Sequence, residues 1–265
     1  MQIGRWGLGG ALAIIAGLSP TPGAGQAACT RGDRPLYAHN DYTNPRPLLD
    51  ALDARMRGVE ADVVLVDGVL RVGHDRRAAR RSGRLDSLYL LPLADRVRGC
   101  GSLTADGRPF LLTIDQKERS RATYDAIVDL LGRSGLDASV RVVLVGWVPE
   151  AAPSSDTVKP PARQVAIRHH RTPSALRLRD VDQLLSLDYG KTIGRARVFG
   201  GGTRWWQALR AWRASAPDRV LRVHNVPPDA RVYAALLAAG VDLIGTRTLA
   251  ASAVLVDSLA HAAPR

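Results

Sequence analysis

Two carboxylates, Glu60 and Asp62, stand two residues apart in the apolar run GVEADVVLVDGVLRVGHD, residues 58–75. On an extended chain residues i and i+2 point to the same face, so the two side chains project together with Ala61 turned away. Converging carboxylates repel each other away from water, and burying them costs free energy unless they are paired or metal-bound. A divalent cation removes that conflict, and an oxygen donor set suits Mg²⁺ or Ca²⁺ rather than zinc. Asp115, in a second apolar run, FLLTIDQK, supplies a third oxygen. His39 in LYAHND and His74 in RVGHD are the groups best placed to move protons near neutral pH. A cation that neutralises phosphate charge, with an acid and a base beside it, is the apparatus of phosphodiester cleavage.

These residues need a scaffold that gathers strand ends. Short apolar, β-branched runs at 35–38, 58–64, 109–115, 140–145, 164–168, 184–188, 220–224 and 241–246 read as strands. RPLLDALDARM, RATYDAIVDLLGRSG, RWWQALRAWRASAP and DARVYAALLAAG carry helical spacing of apolar residues between them. Alternation of this kind predicts an α/β fold with a parallel sheet, and eight strands in one domain predict a single TIM (β/α)8 barrel. A doubly wound open sheet is the alternative, although no G-x-G-x-x-G opens a helix here. In a barrel the chemistry sits at the C-terminal strand ends. His39 and Asn40, Glu60 and Asp62, Asp115 and Lys117, and Asp188 and Lys191 fall at four such ends. His224 and Asn225 end the seventh run and are candidates to line the pocket. VDGVL reads as a tight hairpin turn, an excursion that brings His74 back over the carboxylates.

The first 27 residues, with one early arginine, an apolar run from Trp6 to Leu18 and a small-residue tail, have the layout of a secretory signal. The domain is therefore expected over 28–265, exported to the periplasm or the exterior, with no spanning helix and as a monomer. Cys29 and Cys100 suggest a disulfide tying the N-terminal arm to a loop, with two unrelated thiols or a lipidated Cys29 as alternatives. The net charge is +12, and all but three of the 37 basic side chains are arginine. That charge favours an anionic ligand. The arginines are scattered and no aromatic platforms interleave them, so a nucleic-acid groove is not expected.

The combined pattern AHND, PLLDAL, GVEADVVLVDGVLRVGHD and LLTIDQK resembles the phosphatidylinositol-phospholipase-C-like phosphodiesterase superfamily, which includes glycerophosphodiester phosphodiesterases. Within it, the pattern is similar to the branch named for altered inheritance of mitochondria. The resemblance implies a TIM barrel, a divalent metal on Glu60, Asp62 and Asp115, and His39 and His74 as acid and base. It also implies Lys117 as a phosphate contact and a cyclic phosphate on the reaction path. Asn40 stands where glycerophosphodiesterases have Arg, and it resembles the Asn metal ligand of metal-dependent phosphoinositide phospholipases. Asp115 replaces the commoner Glu. The expected substrate is a glycerol- or lipid-derived phosphodiester, with Asp188 and Lys191 as further substrate contacts. A non-catalytic barrel that binds anionic ligands is the alternative function.

Overall fold

The computed structural model describes residues 29–147, 184–192, 204–217 and 219–262. The leader at 1–27 and the strand expected at 164–168 lie outside these residues. Strand β1 (Arg34–Ala38) lies between β2 (Met56–Val66) and β8 (Leu243–Thr246). Beyond β2 come β4 (Phe110–Gln116) and β5 (Val140–Val145); beyond β8 come β7 (Val220–His224) and β6 (Leu184–Asp188). Every one of these pairings is parallel. The last strand pairing with the first bends the sheet round on itself, which a doubly wound open sheet does not do. The fold is a TIM barrel, nearly closed within the described residues.

One strand stands apart from the barrel ring. β3 (Val69–Val72) folds back antiparallel on β2, with Val66 opposite Val69. Asp67 (φ 51°) and Gly68 (φ 76°) make the turn, and both need the positive φ of a two-residue hairpin. This is the excursion expected from VDGVL, and it carries the chain straight to His74.

The helices form where apolar spacing and caps agree. α4 (Arg121–Gly132) starts at Ser120, whose hydroxyl accepts from Thr123 N, and it buries Tyr124, Ile127 and Leu131 along one stripe. α7 (Ala230–Ala238) starts at Asp229, which accepts from Arg231 N and Val232 N, and buries Val232, Tyr233 and Leu236. α1 (Leu49–Asp53) and α6 (Arg204–Ser215) also fall inside expected helices. Four helices were not anticipated: α2 (Arg76–Arg81), α3 (Leu91–Cys100), the one-turn α5 (Tyr189–Thr192) and α8 (Leu249–Ala262). Asp257 on α8 takes a bidentate pair from Arg34 at 2.8 and 2.9 Å, fastening the last helix to the first strand.

Two apolar layers flank the ring. Val59, Ala61 and Val63 face outward into the large core shared with the helices. Tyr37, Leu111, Val143, Leu184 and Leu243 form a separate cluster that fills the lower barrel. Strand alternation places Glu60, Asp62, Asp115 and His39 on that same inner face, above the plug. Cys29 and Cys100 are joined in a disulfide, with Cys100 as the last residue of α3 rather than part of a loop. In that state the Cys29 sulfur is not free for a lipid.

Candidate active site

β2 supplies the two carboxylates, and its neighbours supply a partner for each. Glu60 Oε2 lies 2.9 Å from His39 Nδ1 and 3.5 Å from Arg222 Nη1. Neither contact counts as a hydrogen bond, and Glu60 Oε2, His39 Nδ1 and Arg222 Nη1 are buried without a hydrogen-bond partner. Arg222 is buried beneath Glu60, with its guanidinium carbon 4.3 Å from the centroid of the Tyr37 ring. Its Nε and Nη2 donate to Ser186 Oγ, which in turn bonds His224 Nδ1 at 3.0 Å. The His224 ring stacks on His39, 5.1 Å between centroids and 10° from parallel. Gly245 makes room for this stack, since a Cβ there would come within 2.9 Å of His224 Cβ. Burial works against the Glu60 charge, but Arg222 and His39 overcome it and hold the carboxyl down at about 2.

Asp62 has a different set of neighbours. Its Oδ2 meets Tyr42 OH at 2.7 Å, His74 Nδ1 at 2.9 Å and Lys117 Nζ at 3.0 Å. Lys117 also reaches Asp115 Oδ2 at 2.8 Å, and Asp62 and Asp115 sit side by side in the β2–β4 register. Burial pushes the Asp115 carboxyl up, with Lys117 offsetting part of the effect. Burial opposes the Lys117 charge, yet Asp115 and Asp62 hold the ammonium above its ordinary range. Burial and the hydrogen bond to Asp62 push the Tyr42 phenol upward too, so it acts as a fixed donor. His74 arrives over Asp62 from the hairpin with 69 % of its side chain exposed, against 11 % for His39.

One ligand oxygen from each of Glu60, Asp62 and Asp115 lies within 4.8 Å of the others. Glu60 Oε2 and Asp62 Oδ1 are buried without a hydrogen-bond partner. Three hard oxygens with two orphaned lone-pair sites fit a cation of the Mg²⁺ or Ca²⁺ type. Asn40 follows His39 in the left-handed conformation (φ 52°) and opens a 3-10 turn at the same strand end. Asp188 lies across the barrel mouth, where its Oδ2 accepts from Asn225 Nδ2 at 3.0 Å and stands 3.6 Å from His224 Nε2. The Lys191 side chain lies outside the described residues. Sequence reading passed over Arg222 and Tyr42. Arg222 stands two residues before His224 in VLRVH, so the same alternation that paired Glu60 with Asp62 places it facing inward. Nothing in AHNDYT marks Tyr42.

Residues 32–105 match the family described as AIM6-like phosphodiesterase domain, a span that covers β1, β2, the hairpin and both histidines. A curated protein from Arthroderma benhamiae, an altered inheritance of mitochondria protein 6 homolog, is 28% identical over 37% of this chain and 37% of its own length. The chain thus matches little more than a third of that relative. Among solved structures, an Oleispira antarctica phosphodiesterase in complex with its product sn-glycerol-3-phosphate superposes with a TM-score of 0.54. It is 14% identical, over 84% of this chain and 96% of that one. A glycerophosphodiester phosphodiesterase from Agrobacterium tumefaciens gives 0.53 at 16% identity, over 84% and 98%. These two structures establish the barrel, and the family match establishes the resemblance read from the sequence.

Proposed function

We propose that this chain is a metal-dependent phosphodiesterase acting on a glycerol- or lipid-derived phosphodiester. The observation that carries this reading is the meeting of two histidines, each 2.9 Å from its own β2 carboxylate, over a three-carboxylate cluster. The AIM6-like phosphodiesterase match over 32–105 supports it. A divalent cation held by Glu60, Asp62 and Asp115, with Asn40 beside them, supplies positive charge against the phosphate oxygens when bound. Lys117, between Asp62 and Asp115, adds a second positive charge to the phosphate pocket.

Glu60 and Asp62 hold the two imidazoles in place, each carboxylate 2.9 Å from its histidine Nδ1. One histidine takes the proton of a substrate hydroxyl as it attacks phosphorus. The other delivers a proton to the departing oxygen, and a cyclic phosphate results. Water then opens the ring with the two roles exchanged. Asp188 lines the substrate side of the mouth in this reading, and Lys191 is kept as an expected substrate contact. Export to an oxidising compartment accounts for the Cys29–Cys100 disulfide and the apolar N-terminal run.

Phosphorus NMR of the purified chain tests the reading. Glycerophosphodiesters, lysophospholipids and phosphoinositides are each incubated with Mg²⁺, with Ca²⁺ and with chelator. A new phosphorus signal that needs metal is expected with at least one class. A folded, metal-binding chain that turns over none of them favours the non-catalytic barrel.

A further inference from the structure

The arginines are densest in one run, HDRRAARRSGR, residues 74–84, of which the catalytic reading uses only His74. Its first part folds as α2, with Ala79 buried and Arg76, Arg77, Arg80 and Arg81 exposed round one shallow hollow. The helix rests directly on the chain that delivers His74, since a Cβ at Gly73 would lie 2.7 Å from Ala79 N. The arginine face therefore stands at the catalytic end of the barrel, beside the histidine that is open to water.

Pairing within the chain accounts for one of the four. Arg76 donates to Glu118 at 2.9 Å and lies 3.8 Å from Asp67. Asp75 is taken up as the helix cap, accepting from Ala78 N, and Asp86 is taken by Arg84. Among the described residues, the Arg77, Arg80 and Arg81 side chains have no hydrogen bond or ion pair. Arg76 and Arg80, and Arg77 and Arg81, stand four apart, where like charges work against a helix. Arg76 and Arg77 also occupy its first turn, against the dipole. An anion outside the molecule offsets both effects. Exposed apolar side chains stand at the same end: Leu49 and Leu91 begin α1 and α3. Leu48 N and Tyr89 OH, beside them in sequence, both donate to Asp41 Oδ2 in the loop that follows β1.

We infer that the arginine face of α2, with Leu49 and Leu91, docks the chain on an anionic phospholipid surface. The guanidinium forks meet lipid phosphates, and the leucines enter between the headgroups. A nucleic-acid strand would want aromatic faces among the arginines, and no Phe, Tyr or Trp stands in this run. The inference rests on the function proposed above only for what is presented to the surface, a phosphodiester held in lipid beside His74.

Co-sedimentation of the full chain with vesicles tests this, in chelator so that binding is read without turnover. The vesicles are phosphatidylcholine alone, or phosphatidylcholine mixed equally with phosphatidylglycerol. The wild type should sediment with the mixed vesicles only. A triple variant, Arg77→Gln with Arg80→Gln and Arg81→Gln, should bind them at least about tenfold more weakly. Those side chains are exposed and make no contact, so the fold tolerates the change, and melting curves check it. Arg98→Gln with Arg108→Gln and Arg121→Gln removes the same charge from exposed side chains elsewhere and should bind as the wild type does. Equal weakening of the two triple variants overturns the inference, since net charge then suffices. Absence of binding to the mixed vesicles at low salt also overturns it, as does tighter binding to a soluble oligonucleotide. Failure here leaves the phosphodiesterase reading standing. A chain that docks and hydrolyses nothing overturns that reading and supports this one.

Discussion

Glu60 and Asp62 are separated by one residue on one strand, and each meets a histidine at 2.9 Å, yet the two halves of the site are built differently. The Glu60 half draws on β1, β2, β6 and β7 and is sealed: His39 is stacked on His224, and Arg222 is locked between Tyr37 and Ser186. The Asp62 half is open. His74 stands on a hairpin beyond the barrel rim, and Lys117 and Tyr42 reach Asp62 from near the surface. Both carboxylates are buried, so the difference lies in their partners: His39 and Arg222 are packed inside the barrel, whereas His74 comes to Asp62 from the hairpin with 69 % of its side chain exposed. It teaches that an i, i+2 pair can hold one histidine packed inside the barrel while leaving the other exposed to water.

Charge removal at the two carboxylates sharpens this contrast most. Glu60→Gln and Asp62→Asn should both abolish turnover, and they should differ in stability. Glu60→Gln leaves buried Arg222 without its counter-charge and should cost about 3–5 kcal/mol in urea denaturation. Asp62→Asn should cost about 1–2 kcal/mol, because Lys117 and His74 can turn to water. Equal costs would break the comparison. The pH dependence has a definite sign. The Glu60 carboxyl is held at about 2, below its ordinary 4.5, so its stabilisation is present above 4.5 and is lost as pH falls towards 2. Wild type should therefore lose more stability than Glu60→Gln across that window.

The disulfide acts on the sealed half, since Cys29 lies just ahead of β1, the strand that delivers His39. Replacing Cys29 and Cys100 by Ser opens a 71-residue loop. The expected loss in thermal or denaturant unfolding is about 4 kcal/mol on the chain-entropy account. Amide exchange should rise first in β1 rather than in the β2–β3 hairpin. Tyr42→Phe is the smallest change. It removes one hydrogen bond from Asp62 Oδ2 and should cost about 1 kcal/mol, with turnover reduced rather than lost.

Much of this was legible from residue order. The EAD alternation, the DG turn and the clustering of polar residues at strand ends located Glu60, Asp62, Asp115 and His74, because strand parity and hairpin geometry are local rules. The seven described barrel strands coincide with expected runs, and β2 extends two residues beyond its run at each end because β1, β3 and β4 all pair with it. α3 and α8 were missed: α3 is entered through a π-helical turn at Asp86–Leu90, and α8 is so uniformly apolar that its helical stripe does not stand out. Arg222 was read as a strand residue, since its role depends on β7 lying opposite β2 across the barrel, a distance no local pattern encodes.

The central claim is that His39 and His74 divide acid and base work over the carboxylate cluster. Turnover of paired substrates by His39→Ala and His74→Ala tests it most directly, one substrate with an alkoxide leaving group and one with nitrophenolate. Nitrophenolate leaves without a proton, so the variant lacking the general acid should recover on it while the variant lacking the base stays inactive. On the alkoxide substrate both variants should fall by about 10²–10⁴-fold. Full activity of either variant on the alkoxide substrate would contradict the account.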